Sequence, residues 1–120
     1  MIVIEKNEGT KIGYEVTGTK ICFADELMIN LAKIQKDDPV HKDICFDSEG
    51  YLVIGTESGR YYVAEIDVPA IEYEEVEVEG KEEGSEMSSD IKLVPKPLDM
   101  DKVTLTLWSI DERTKIEEVA

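Results

Sequence analysis

The sequence predicts an α+β fold, with a predominantly antiparallel, meander-type sheet of six to eight strands and one short helix near residues 25–36. Three observations support this prediction. Apolar and polar residues alternate in several segments, turn residues such as those of Asp47–Gly50 separate these segments, and the apolar period becomes helical after Asp25. Because 120 residues are the length of one domain, we expect residues 1–120 to form a single domain.

Short strands are predicted before the helix. Ile2–Glu5 is apolar and ends at a turn signal, and Ile21–Phe23 begins another strand after a Thr-Gly-Thr turn. Between them, Thr10–Val16 alternates with a period of two, so its apolar side chains should share one face. These face residues are Ile12, Tyr14 and Val16.

The helix is predicted from a stripe of apolar residues in positions 25–36. Asp25 is a suitable N-cap, and Pro39 ends the helix because the residue before a proline avoids helical geometry. A strand through Leu27–Ile29 is the alternative for the same residues. The stripe consists of Leu27, Met28, Leu31 and Ile34.

The middle of the chain predicts a meander of three strands, Asp43–Phe46, Tyr51–Thr56 and Arg60–Val68, joined by Gly-containing turns. Tyr51–Ile54 is apolar on both faces, which indicates a central strand covered on two sides. In the third strand, Glu65 and Asp67 point away from a shared apolar face. That face consists of Tyr62, Ala64, Ile66 and Val68.

The last part of the chain contains a phase change and a clearly patterned strand. The apolar residues at 71 and 73 and those at 76 and 78 fall in opposite phases, which predicts a β-bulge at Glu74–Glu75. Ile91–Leu93 is expected to rejoin the sheet briefly. Val103–Leu107 alternates apolar residues with threonines and is therefore predicted to be a strand with one buried face.

The acidic segment Glu72–Asp90 holds nine carboxylates and one lysine, about half of the chain's net charge of −15. Its part at about residues 79–90 is predicted to be a mobile loop, because it has almost nothing to bury. Three interpretations apply: charged protection of a sheet edge, a docking surface for a basic partner, and weak Ca²⁺ binding. The same charge argues against direct nucleic-acid binding and against anionic membranes.

The chain is expected to act in the cytoplasm, since its apolar N-terminal run is too short for a signal peptide and no window approaches a membrane span. Cys22 and Cys45 should then be reduced thiols. Each lies in an Ile-Cys-Phe tripeptide, so both are predicted to be buried and unreactive.

A metal or catalytic site has only weak candidates, which lie in the segment from 37 to 43. Carboxylates and the single imidazole could bind a cation, but they match no established ligand spacing. We therefore expect no catalytic residue, no metal and no cofactor. The alternative is a small metal-dependent or acid–base enzyme built on these residues. The candidates are Asp37, Asp38, His41 and Asp43.

The expected function is that of a small, acidic, non-enzymatic protein that acts by protein–protein contact, with a basic protein as partner. One helix can cover only one face of the predicted sheet, so an apolar patch near Trp108 remains for a second copy, and a symmetric homodimer is expected. The candidate partner-binding residues are Glu74, Glu75, Glu77, Glu79, Trp108 and Ile110.

Overall fold

The computed structural model describes residues 1–78, 90–111 and 115, and within them ten strands form three sheets beside one short α-helix. Most strand pairs are antiparallel, which confirms the predicted class in outline. The number of sheets differs from the prediction: one sheet of six to eight strands was expected, whereas the strands divide among three sheets. The acidic loop predicted at about residues 79–90 lies, except for Asp90, outside the described residues.

The largest sheet has five strands in the order β1-β10-β7-β5-β6, and only β1 runs parallel to its neighbour. The expected alternation of the last strand is confirmed, since Leu105 and Leu107 are buried. A short 3₁₀ turn, Met100–Lys102, leads into that strand. The five strands are β1 (Ile2–Glu5), β5 (Val40–Phe46), β6 (Leu52–Ile54), β7 (Tyr61–Val68) and β10 (Thr104–Leu107).

A turn and one strand of a three-stranded sheet replace the first half of the predicted helix. The chain reverses at Ala24 and Asp25, which both have positive φ, and the Glu26 amide donates to the Phe23 carbonyl at 2.9 Å. The following residues then pair with the preceding strand, as the alternative through Leu27–Ile29 expected. The sheet consists of β2 (Tyr14–Thr17), β3 (Lys20–Phe23) and β4 (Leu27–Asn30).

The helix itself is a single turn, α1 (Leu31–Ile34), so the prediction of a helix over 25–36 is wrong in extent. Its N-cap is Asn30, whose side-chain oxygen accepts from the Ala32 amide, and not Asp25. The physical reason is that the apolar residues of the segment fit a strand equally well, and the reversal at Ala24 and Asp25 places Leu27–Asn30 beside β3 as an antiparallel partner.

The core lies between the apolar faces of the five-stranded and the three-stranded sheets. Phe23 and Ile21 project from β3 and are fully buried, and Leu31 of α1 joins them. The opposite side of the core comes from β5, β7 and β10. Those contributions include Ile44, Ala64, Ile66, Val68, Leu105 and Leu107.

Two of the predicted strands lie at sheet edges. β6 is the last strand of its sheet, with Tyr51 and Ile54 exposed, so the prediction of a central strand covered on both sides is wrong. β2 is the edge of the three-stranded sheet. Tyr14 and Val16 are on the expected common face but remain partly in solvent, while Ile12, just before the strand, is buried.

The remaining two strands form a separate ribbon, β8 (Tyr73–Val78) with β9 (Asp90–Pro95). Pairing is continuous from Tyr73 opposite Pro95 to Val78 opposite Asp90, so the bulge predicted at Glu74–Glu75 is wrong. A ribbon with two exposed faces has no single apolar face to maintain, and the phase change therefore needs no bulge. β9 also does not rejoin the large sheet. No helix within the described ranges is long and apolar enough to cross a membrane.

Candidate functional site

A group of titratable side chains lies on the face of the five-stranded sheet that points away from the core. β5 supplies His41 and Asp43, and β7 supplies Glu65 and Asp67. The antiparallel register places His41 opposite Asp67 and Asp43 opposite Glu65. Because side chains alternate along a strand, all four lie on one face. We call these four residues the His41 cluster.

Carboxylates surround both ring nitrogens of His41. Nδ1 lies 2.7 Å from Asp67 Oδ1, while Nε2 lies 2.9 Å from Asp43 Oδ1 and 3.6 Å from Glu65 Oε1. The hydrogen bond to Asp67 is the main cause that raises the pKa of His41 above its usual value, partial burial opposes this, and Asp43 adds to it. The arrangement therefore favours a positive charge between the carboxylates.

Glu65 also contacts a pair of stacked aromatic rings, through a hydrogen bond from one of them. The Trp108 indole Nε1–H donates to Glu65 Oε2 at 2.7 Å, and its ring stacks on Tyr62 with centroids 4.7 Å apart. Trp108 is only 7% exposed, so most of this candidate partner-binding residue is covered by its own chain. Ile110 is half-buried and packs against the core.

The two thiols differ in environment. Cys45 is fully buried, and this burial, with the negative charges of Asp43 and Glu65, raises its pKa to about 11. The chain lies close over it, since a Cβ on Gly59 would stand 2.6 Å from the Cys45 Cβ. The prediction of buried, unpaired cysteines is confirmed for Cys45. Cys22 is also unpaired, but it is partly exposed, so its predicted burial is wrong.

The structure separates the four metal candidates proposed from sequence. It brings His41 and Asp43 together on β5, which begins three residues before the predicted strand Asp43–Phe46. Asp38 is exposed, and Asp37 instead accepts a hydrogen bond of 2.6 Å from the Tyr73 hydroxyl. The group of ligand atoms that lie within 4.8 Å of one another is completed by Glu65.

Sequence reasoning assigned no site role to Glu65 and Asp67, although it placed both on the polar side of their strand. The available signal was a matching pattern, since His41 and Asp43 alternate in the same way at the first strand of the meander. Only the register of β5 against β7 shows that the two pairs meet. That register includes an irregularity after Ile44 that sequence does not reveal.

The acidic candidates lie on the ribbon. Glu74, Glu75 and Glu77 are exposed on β8, and Glu79 lies outside the described residues. At the base of the ribbon, Glu72 bonds Lys102 Nζ at 2.7 Å, and its carbonyl accepts from a backbone amide at the end of β9. Lys102 therefore lowers the pKa of the Glu72 carboxyl.

The chemistry open to the His41 cluster follows from these contacts. Both imidazole nitrogens face carboxylates, so neither is free to take a proton from a substrate. The raised pKa of Cys45 keeps that thiol protonated near neutral pH, which makes it a poor nucleophile. What remains is an arrangement of nitrogen and oxygen atoms suited to holding a cation.

Comparison with protein-family models, with curated proteins and with solved structures found no match for this chain. Its function is therefore argued from the chemistry of its surfaces. Two features stand out among the described residues, namely the His41 cluster and the acidic ribbon.

Proposed function

We propose that this chain is a non-enzymatic binding protein of the cytoplasm, and that it contacts a basic protein through the β8–β9 ribbon. One observation carries the proposal: the ribbon exposes large apolar side chains directly beside glutamates. Ile91 and Leu93 are 60% and 61% exposed, although both are in regular strand pairing. Exposed apolar groups that are clustered rather than scattered are typical of an interaction surface.

One face of the ribbon combines the two kinds of side chain. Ile91 pairs with Glu77 and Leu93 pairs with Glu75, so each apolar residue lies next to a carboxylate. Tyr73 extends the same face toward the base of the ribbon. Because the glutamates lie on β8 and the two apolar residues on β9, a partner that buries this face must offer positive charge along β8 and apolar contacts along β9.

The energetics of a two-stranded ribbon favour such a partner. An isolated pair of strands is marginally stable in water, because it buries little apolar surface. Within the described residues, β8 and β9 pair only with each other. Covering Ile91 and Leu93 would remove apolar area from water at about 25 cal/mol per Å², which stabilises the ribbon and the complex together.

Charge selects the class of partner. Glu74, Glu75 and Glu77 are exposed on β8, and Lys92 of β9 is the cation that lies opposite Val76. This excess of negative charge attracts a basic surface and repels an acidic one. At the base of the ribbon, Glu72 is paired with Lys102, so its charge is already neutralised and is not part of the docking surface.

The alternative of an acid–base enzyme has less support. His41 was its only candidate base near neutral pH, and both of its ring nitrogens are occupied by carboxylates. The His41 cluster also lies on an open sheet face, with His41 45% exposed, and such a face does not enclose a substrate as a concave active site does.

The test compares two pairs of variants as baits in extracts of the source cell. In the first pair, one variant that carries both Ile91→Ser and Leu93→Ser removes exposed apolar groups from the ribbon. Its control is Met28→Ser, which removes an exposed apolar group from the three-stranded sheet. The second removes three charges from the ribbon by glutamine substitution at 74, 75 and 77. Its control removes three exposed charges elsewhere, at Glu8, Glu15 and Glu57.

The expected result is one basic protein that the parent and both controls retain and that both ribbon variants lose or bind weakly. With the purified pair, association should slow several-fold between about 0.02 and 0.15 M salt, because the field is screened beyond about 8 Å at the higher value. Equal retention by all variants, an acidic partner, or no specific partner at all would refute the proposal.

A further inference from the structure

The His41 cluster combines four features that the proposed binding function does not use. Its side chains come from two adjacent strands, they share one sheet face, and three of them are carboxylates. No lysine or arginine among the described residues lies within 4.0 Å of those carboxylates. The cluster therefore concentrates negative charge around a single imidazole.

The strand register makes this concentration costly. Asp43 and Glu65 are directly opposite each other in the antiparallel pair, and like charges in that position destabilise a sheet. Both carboxylates are also about three-quarters covered, at 24% and 23% exposure, so water screens them incompletely. A cation bound between them would remove this repulsion.

The distances agree with the ligand shell of a small divalent metal. Tetrahedral Zn²⁺ bound at about 2.0–2.1 Å keeps its ligand atoms about 3.3 Å apart. His41 Nε2 lies 2.9 Å from Asp43 Oδ1 and 3.6 Å from Glu65 Oε1, and these values bracket that spacing. All three ligand atoms lie within 4.8 Å of one another, so small side-chain movements suffice.

We propose that His41 Nε2, Asp43 and Glu65 bind one Zn²⁺ ion, with Asp67 as the positioning residue. Asp67 accepts a hydrogen bond from Nδ1–H, which fixes the ring orientation, and Zn²⁺ takes the place of the Nε2 proton, which is released to solvent. Trp108 holds the second oxygen of Glu65 through its indole N–H. Because His41 is 45% exposed, the fourth position is open to water.

The donor set also distinguishes between metals. An imidazole nitrogen suits Zn²⁺ and other transition metals, whereas Mg²⁺ and Ca²⁺ prefer oxygen ligands alone. The ribbon glutamates can attract any dication weakly by charge. A specific site must therefore prefer Zn²⁺ over Mg²⁺ and must respond to the loss of particular carboxylates.

The experiment uses the intact protein and the metal alone, and His41 serves as its own probe because it is the only histidine in the chain. One equivalent of Zn²⁺ added to chelator-treated protein should shift the imidazole ¹⁵N resonance of Nε2 in a long-range NMR spectrum. One equivalent of Mg²⁺ should leave it in place. No change with Zn²⁺, or an equal change with Mg²⁺, would overturn the proposal without any variant.

Variants then identify the ligands by calorimetric titration with Zn²⁺. Asp43→Asn and Glu65→Gln should each weaken binding at least tenfold, and Asp67→Asn should weaken it about tenfold. Glu74→Gln removes the same kind of charge from the ribbon and should leave the affinity within twofold. If Glu65→Gln and Glu74→Gln weaken binding equally, the interaction is diffuse attraction to an acidic protein and the assigned site is wrong.

Discussion

The five-stranded sheet and the β8–β9 ribbon use similar apolar residues but bury them to opposite extents. Leu105 of β10 is fully buried, whereas Leu93 of β9 is 61% exposed. Ile66 of β7 and Ile91 of β9 differ in the same way. The cause is the layer behind each strand: the three-stranded sheet covers one face of the large sheet, and the ribbon pairs only with itself within the described residues. Strand pairing alone therefore does not create a core.

The largest expected difference between the two regions concerns their aromatic residues. Trp108→Ala should lower the free energy of unfolding by about 3–5 kcal/mol, because it removes an enclosed ring stacked on Tyr62 and an indole hydrogen bond to Glu65. Chemical denaturation measures this loss. Trp108→Phe keeps a stacking ring and should cost less than half as much, and Tyr73→Ala in the ribbon should cost a small fraction.

Equal losses for Trp108→Ala and Tyr73→Ala would break the comparison. They would mean that the ribbon contributes to folding as much as the sheet does. A loss below about 1 kcal/mol for Trp108→Ala would mean that the indole is not enclosed, and a role in partner contact would become its better interpretation.

The second comparison uses one substitution in two places. Leu105→Ala should destabilise the protein by about 3 kcal/mol, since it leaves a cavity between the two sheets. Leu93→Ala should change stability by no more than about 0.5 kcal/mol, because its side chain is largely in water. Urea denaturation of both variants measures the contrast, and a loss above about 1.5 kcal/mol for Leu93→Ala would contradict it.

Sequence predicted the strands that bury one face and missed the features set by contacts between distant segments. Apolar and polar residues alternate around Leu105 and Ile66 because only one face of each strand lies in the core, so the alternation predicted both strands. Leu27 and Met28 fit a helical stripe and a strand equally well, and the reversal at Ala24 and Asp25 decided in favour of the strand. Asp is one of the residues that tolerate positive φ, but an alanine such as Ala24 rarely adopts it, so the pattern of residues did not indicate the reversal.

The candidate site shows the same division. His41 and Asp43 were found from sequence because they lie close together in the chain. Glu65 and Asp67 join them only through the pairing of β5 with β7. Periodicity predicts which face a side chain occupies, but not which residue of the next strand lies opposite.

The third comparison concerns thiol reactivity. Cys45 lies in the five-stranded sheet with a pKa of about 11, two units above the reference value of 9.0, so its thiolate fraction should be about 100-fold below that of an ordinary thiol. Leu93→Cys would place a thiol in the ribbon. Labelling by a thiol reagent at pH 7, followed by mass spectrometry, should modify the ribbon cysteine first, Cys22 next and Cys45 last.

The order of labelling tests whether each thiol is enclosed by the protein, and it does not depend on the free energy of unfolding. Burial slows Cys45 further, because the reagent cannot reach the sulfur beneath the chain at Gly59. If Cys45 reacts as fast as the thiol of Leu93→Cys, the sheet face around it is open. The distinction between a protected sheet and an accessible ribbon would then fail at that position.

The smallest expected effect separates two causes of a raised tyrosine pKa. In the sheet, burial is the main cause for Tyr62; at the start of the ribbon, the hydrogen bond to Asp37 is the main cause for Tyr73. Asp37→Asn should therefore lower the pKa of Tyr73 toward 10 and leave that of Tyr62 unchanged, as ¹³C NMR titration can measure.

A raised pKa means that the folded state favours the protonated phenol, so the Tyr73 contact stabilises at neutral pH and is lost as the pH rises through the folded-state pKa. If the pKa values of both tyrosines fall together, the contact at Asp37 is not local to the ribbon, and the two regions are more closely coupled than their separate sheets indicate.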